Sequence, residues 1–458
     1  MPFRDDLSRF ILVPVGKTYS GRQYFSAKRY QEVLENTEIR PLQELQQRQD
    51  DLLRSMVEHA YKNVPYYHAL FKSHGISPSD VRDKNDLIHV PFLTKEKLVR
   101  NLDSLVAERV STNALRLVST GGTTGTPISF YRDKRSEYLV DGNNWRFFGY
   151  CGYRVGQRIA KLWGNENDLL RSLNMRGKLK AFMDNESNLN FYDLCDDRLI
   201  EYVQLIRRKK PRFWKGFSSA LYHFVRYLKR NGMDVPLPEA VIITSDTIEK
   251  HQKKELDHFF GQHVFNEYGC REFSILGFEC NAHAGIHVGM ENYVVEIIRD
   301  NEKEAYGEVV VTSLTNWGMP FIRYKLGDLS KFVDGRCSCG RSLPRLETIK
   351  GRVADFVVTK SGKLIYGDFF AHLFYGSKGI EHYQVMQTEI GRVTIYLQKN
   401  EFFSDGEIRS FMVTLKHMTG DDLLAEMELV PIIERHPSGK RRSVISEISK
   451  DYFGESPY

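Results

Sequence analysis

Apolar residues recur at helical spacing from 40 to 63, where Leu42, Leu45, Leu52, Leu53, Met56, Val57 and Ala60 share one face. Pro41 suits the first helical position and Asn63-Val64-Pro65 stops the run. Short helical and loop signals alternate over 82–110, and the spacing predicts a helix over 133–148 carrying Tyr138, Trp145 and Phe148. From 154 to 270 short apolar runs alternate with helical stretches, the texture of a layered, mostly parallel sheet. Strands are predicted at 158–163, 212–216, 240–245 and 263–266, and helices at 197–209, 218–230 and 247–260, the last two closed by Gly232 and Gly261. Residues 293–333 read as consecutive strands of an antiparallel subdomain. After Arg352 short strands at 353–359, 363–366, 382–388, 392–398 and 424–430 surround a helix at 405–418. The class is α/β: a large multi-layer N-terminal domain over 1–350, a boundary at 351–355, and a small α/β domain over 356–458.

Between the runs Leu115-Arg116-Leu117-Val118 and Ile128-Ser129-Phe130-Tyr131 lies Ser119-Thr120-Gly121-Gly122-Thr123-Thr124-Gly125-Thr126-Pro127, so a glycine-rich loop joins two strands. Its glycines permit positive φ and close backbone approach to a ligand, and its hydroxyls and N–H groups can surround phosphate oxygens. No Lys follows Gly125, so it is not the G-x-x-x-x-G-K-[ST] loop, and it is not the dinucleotide fingerprint G-x-G-x-x-G either. Downstream come Asn266-Glu267-Tyr268-Gly269-Cys270-Arg271-Glu272, Ile322-Arg323-Tyr324-Lys325-Leu326-Gly327-Asp328-Leu329, Gly351-Arg352-Val353-Ala354-Asp355 and Pro437-Ser438-Gly439-Lys440-Arg441-Arg442.

In order and distance these motifs resemble those of the adenylate-forming superfamily, and most closely the phenylacetate-CoA ligase family with its branch of capsular-polysaccharide ligases. The resemblance runs from about Leu52 to Ile448. It implies an ATP- and Mg²⁺-dependent enzyme that converts a carboxylate to an acyl-adenylate, releases pyrophosphate, and passes the acyl group to coenzyme A or to an amine such as that of an amino sugar. It also implies roles. The 119–127 loop holds the β- and γ-phosphates, Thr123 and Thr124 foremost. Glu272 holds Mg²⁺, Asn266, Glu267, Tyr268 and Gly269 line the adenine pocket, and Asp328 accepts from the ribose hydroxyls. Arg352 adds a cation near the ribose or α-phosphate, and Lys440 is the catalytic cation on a mobile C-terminal lid. By position Trp163, Phe217, Ser218 and Ser245 are candidates to face the acyl group, with Arg271 beside them as a partner for a second polar group. The chain departs from the pattern at Thr126 and Ile128, where relatives commonly carry a lysine, and at Ala354, where they often carry an acid.

Six cysteines in 458 residues without an export signal argue against a disulfide framework. Cys280 and His287 form a C-x6-H pair, and Cys337 and Cys339 a C-x-C pair. Three sulfurs and one nitrogen suit a closed, structural zinc site, with His283 as the competing nitrogen. The apolar run 10–15 is too short to span a bilayer, which makes a cytoplasmic location the default. A net charge of +6 in short runs such as 207–210, at a predicted helix end, gives no nucleic-acid footprint. A homodimer is left open. The competing class is a nucleotide-binding protein that kept the fold and lost catalysis; the missing loop lysine and Ala354 favour it, and Glu272, Asp328 and Lys440 together oppose it.

Overall fold

The computed structural model of the protein describes residues 21–119, 128–162, 179, 181–189, 196–244, 250–299, 305–349, 356–361, 364–366, 370, 373–374, 377, 379–434 and 443–448. The expectations placed on Thr120, Gly121, Gly122, Thr123, Thr124, Gly125, Trp163, Ser245, Arg352, Lys440 and the 351–355 hinge lie outside them. The chain divides into two compact units, one built from most of the residues up to Thr348 and the other from Ile349 onward together with Thr247–Lys254 and Gly327–Leu329.

The first unit opens with α1 (Gly21–Thr37), which the hydrophobic pattern did not reveal because its buried face mixes Ala27 and Leu34 with Gln31 and Thr37. Helix α2 (Leu42–Asn63) buries Leu45, Gln49, Leu53, Met56, Val57 and Ala60. Pro41 sits at its N-cap, one position before the predicted place. Helices α3 (Pro65–Ser73) and α4 (Lys95–Arg100) follow. Strands β1 (Leu115–Ser119) and β2 (Ser129–Asp133) pair antiparallel from Leu115 opposite Asp133 to Ser119 opposite Ser129. Asp133 then caps α5 (Lys134–Phe148): its carboxylate accepts from the Ser136 N–H at 2.6 Å and from the Trp317 and Gly318 N–H groups at 2.8 Å. Gly142 lets α1 approach α5, since a Cβ there would lie 2.7 Å from the Ala27 carbonyl oxygen.

Strands β3 (Ile159–Leu162), β4 (Glu186–Leu189), β5 (Phe213–Phe217), β6 (Ala240–Thr244) and β7 (Val264–Cys270) alternate with helices α6 (Asp196–Lys209), α7 (Ser218–Arg230) and α8 (Lys250–Phe260). Gly232 and Gly261 close α7 and α8 at φ of +59° and +72°, as the sequence predicts. The chain then reverses through β8 (Ser274–Glu279) and β9 (Ile286–Val288). Strands β10 (Tyr293–Ile298), β11 (Gly307–Ser313) and β12 (Tyr324–Ser330) make a three-stranded sheet, and β13 (Phe332–Val333) and β14 (Arg345–Leu346) return to the large one. Among the described residues that sheet has the order β13-β14-β9-β8-β7-β6-β5-β3-β4. It is parallel from β4 to β7 and antiparallel from β7 onward. Its central strand β6 is buried on both faces and reads as a continuous apolar run, Ala240–Thr244.

The second unit carries β15 (Phe356–Val358) paired with β16 (Leu364–Tyr366), and a four-stranded sheet of β17 (Ile380–Glu389), β18 (Arg392–Lys399), β19 (Leu424–Val430) and β20 (Val444–Ser446) in the order β19-β18-β17-β20. Helix α9 (Asp405–Thr419), begun by a Ser404/Glu407 capping box, is the crossover that the parallel β18–β19 pair requires. Val385, Val393, Ile395, Leu397, Phe411 and Leu415 fill its core. Among the described residues no helix is long and apolar enough to cross a membrane.

Candidate active site

In an open α/β sheet ligands bind beyond the carboxyl ends of the parallel strands. At that end of β5, β6 and β7 stand Phe217, Thr244 and Glu267, with Thr244 directly opposite Glu267. Glu267 is only 8% exposed and is committed to a buried pair: the Lys215 ammonium binds its Oε2, and the Thr244 hydroxyl donates to its Oε1 at 2.9 Å. The Lys215 Nζ also lies 4.8 Å from the centre of the Phe148 ring. Lys215 was missed by the sequence reading, because its acid lies 52 positions away. Asn266 is half-buried, and its N–H donates to the Glu279 carboxylate at 3.0 Å. Tyr268 is buried on the same strand. Phe217 occupies the N-cap of α7, and Ser218 behind it is 1% exposed.

Strand β7 slips register between Tyr268 and Gly269 and turns into β8. Gly269 is obligatory there, since a Cβ would fall 2.2 Å from the Ser274 carbonyl oxygen. The turn presents Arg271 and Glu272 to the β1–β2 hairpin. The Arg132 Nη2 on β2 donates to the carbonyl oxygens of Arg271 at 2.5 Å and Glu272 at 3.3 Å, and the Arg271 Nε donates to the carbonyl oxygen of Ser119 at 3.3 Å. The Tyr324 hydroxyl donates to the Glu272 Oε1 at 3.2 Å. Burial, and then the Glu272 carboxylate, push the Tyr324 phenol up, while burial lowers the Arg132 guanidinium. A small cavity touches Arg132, Ser136, Glu272, Tyr293, Ser313, Thr315 and Asn316. Ser119, Arg271 and Glu272 are thus brought together at the base of the loop. Asp328 stands on β12, in the piece Gly327–Leu329 that groups with the second unit.

A second cluster lies at the antiparallel end of the large sheet. Side-chain ligand atoms of Cys280, His287, Cys337 and Cys339 all lie within 4.8 Å of one another. The Cys280 and Cys337 sulfurs are 3.7 Å apart, close to the roughly 3.8 Å that two thiolates at about 2.3 Å from a tetrahedral zinc ion require. The His287 Nδ1 meets the Leu343 carbonyl oxygen at 3.3 Å, which makes Nδ1 the protonated nitrogen and leaves the Nε2 lone pair facing the Cys339 sulfur at 3.4 Å. His283 instead turns its Nε2 to the Gln262 carbonyl oxygen at 3.1 Å. Burial pushes the Cys280 thiol up to about 12 and the His287 imidazole down to about 4. Burial also raises Cys339, but hydrogen bonds from the Arg341 main chain and guanidinium outweigh it and hold that thiol below its ordinary value. Arg341 in turn donates to the Glu38 carboxylate at 2.7 Å, which also accepts from the Tyr150 hydroxyl at 2.5 Å.

Among solved structures, 2-hydroxyisobutyryl-CoA ligase in the postadenylation state with 2-HIB-AMP aligns at TM-score 0.70 and 18% identity, covering 89% of this chain and 90% of that one. The same ligase with 2-HIB-AMP and CoA in the thioesterification state aligns at 0.59 and 19%, covering 89% and 91%. The fold is that of the adenylate-forming ligases. Residues 357–447 match the family described as the CapK C-terminal domain. The chain is 21% identical over 451 residues to Protein CapK of Staphylococcus aureus, covering 93% of this chain and 94% of that protein. It is 24% identical over 360 residues to the phenylacetate-coenzyme A ligase of Thermus thermophilus, covering 76% and 79%. In sequence, then, the chain is similar to Protein CapK and to the phenylacetate-coenzyme A ligases.

Proposed function

We propose that this chain is an ATP- and Mg²⁺-dependent carboxylate-activating ligase. A carboxylate oxygen attacks the α-phosphorus of ATP, the acyl–oxygen–phosphorus bond forms as the bond to the β-phosphate breaks, and pyrophosphate leaves. The observation that carries this reading is the joining of Glu272, Arg271 and Ser119 at the base of the 120–127 loop. In it, Thr123 and Thr124 with Gly121, Gly122 and Gly125 donate to the β- and γ-phosphates, and Glu272 offers its carboxylate to Mg²⁺. That ion, when bound, neutralises charge on the phosphate oxygens. Asn266, Tyr268 and Gly269 border the base. Glu267, already engaged by Lys215 and Thr244, shapes the pocket without an available carboxylate. Asp328 accepts from the ribose, and Arg352 and Lys440 supply cations from a lid formed by 356–458 and pivoting at 351–355. Phe217, Trp163 and Ser245 face the acyl group, with Ser218 buried behind Phe217. The Cys280, His287, Cys337 and Cys339 set fits structural zinc, since its four donors leave no open position.

Coenzyme A is the acceptor in this reading, supported by the phenylacetate-coenzyme A ligases among the relatives. Transfer to an amine is the second reading. Its support is the match to CapK over 93% of the chain, together with the CapK C-terminal domain at 357–447. Mass spectrometry after incubation with ATP, Mg²⁺ and a panel of carboxylates, adding coenzyme A and amino sugars in separate arms, tests both. A thioester with stoichiometric AMP is expected; an amide without thioester transfers the assignment to the second reading, and no carboxylate-dependent AMP in any arm refutes both.

A further inference from the structure

The β1–β2 hairpin is a two-stranded sheet, an element marginal by itself in water, yet it flanks the loop assigned to the phosphates. Something must fix it relative to the acid that would share those phosphates. Three hydrogen bonds do so among the described residues. Arg132, three positions beyond the Ser129 that closes the hairpin opposite Ser119, spends one guanidinium nitrogen on two successive carbonyl oxygens, those of Arg271 and Glu272. Arg271 answers from the other side by donating to Ser119, and Tyr324 fixes the Glu272 carboxylate. The Arg132 guanidinium is packed against the Phe130 ring, 5.6 Å from its centre, so its position is set by packing as well as by hydrogen bonding. Arg132 reaches both carbonyls through its Nη2 while the guanidinium plane rests against Phe130; a lysine ammonium at the end of a flexible stem lacks that planar anchor.

We propose that Arg132 is a positioning residue that locks the Arg271–Glu272 turn to the β1–β2 hairpin, so that the turn carrying Glu272 and the two strands on either side of 120–127 are held as one preorganised unit. It rests on the adenylation reading for what the unit binds, but the lock itself is a property of this chain alone. Outer partners that hold a metal-binding group typically contribute 10- to 100-fold in metal affinity or activity.

Three proteins, the wild type, Arg132→Lys and Arg132→Gln, are compared in two measurements. Hydrogen–deuterium exchange of peptides spanning 268–276 reads the lock without reference to activity. Titration of ATP binding against Mg²⁺ reads its consequence. In Arg132→Gln, faster exchange in that segment is expected, with apparent Mg²⁺ affinity for the ATP complex down roughly 10- to 100-fold; Arg132→Lys should keep most nucleotide binding but also exchange faster. Unchanged exchange in both variants overturns the proposal, including when nucleotide binding is lost, since that pattern means direct contact with the nucleotide. If the wild type binds no nucleotide, the adenylation reading fails while the exchange result still decides the lock. Faster exchange throughout the chain in both variants marks general destabilisation and overturns the specific role.

Discussion

Glu267 illustrates how a residue can be legible as chemistry and still occupy a different position from the one its motif suggests. Its motif marks it as a wall of the base pocket, yet its carboxylate is satisfied internally by Lys215 and Thr244, with Lys215 and Glu267 only 7% and 8% exposed. A desolvated ion pair is costly to break on one side, because the remaining charge has no water, and nearly neutral to replace whole. Lys215→Met is therefore expected to destabilise by roughly 3–5 kcal/mol in urea unfolding, while Lys215→Met combined with Glu267→Leu recovers most of that loss. Equal losses in the single and double variants would contradict the pairing. The convergence of Cys280, His287, Cys337 and Cys339 was readable because donor types and short spacings carry the signal. Lys215 and Arg132 were not, since one basic residue in a strand looks ordinary until the fold brings up its partner.

At the scale of elements, periodicity served where one face is purely apolar. Helix α7 and strand β19 have the predicted bounds, and the glycine-rich loop is flanked by the two strands expected of it. Helix α1 escaped because polar Gln31 and Thr37 lie on its buried face, and β7 runs four residues past the predicted 263–266 because Asn266 and Glu267 break the apolar run. Besides the proposed zinc set, the segment after Cys339 and the β8–β9 turn are tied by the bonds from Arg345 to the Ala284 carbonyl oxygen and from His287 to the Leu343 carbonyl oxygen. Stripping metal with a chelator should lower the melting temperature by several degrees, restored by Zn²⁺ and not by Mg²⁺; an unchanged melting curve would remove zinc from the account. In the stripped protein the unfolded chain protonates His287 near pH 6.5 while the fold resists until about 4, so stability should fall as pH drops across that window.

For the molecule as a whole, the order of motifs along the chain conveyed more than any single one. The parallel half of the large sheet sets Thr244 opposite Glu267, the antiparallel half carries the Glu272 turn and the cysteine–histidine cluster, and the second unit carries its own sheet and core. The proposed class of chemistry was legible in the order of the motifs, through their resemblance to those of the adenylate-forming superfamily. The acid substrate was not, because an acyl pocket is made of aromatic and small residues that look the same when they are simply core. The most direct test of the central claim is carboxylate-dependent exchange of labelled pyrophosphate into ATP by the wild type and by Lys440→Ala. Exchange with at least one carboxylate, absent without it and reduced on the order of 10²–10³ in the variant, is the predicted result. Wild-type nucleotide binding with no exchange for any carboxylate would contradict it and leave a fold that binds nucleotide without activating an acid.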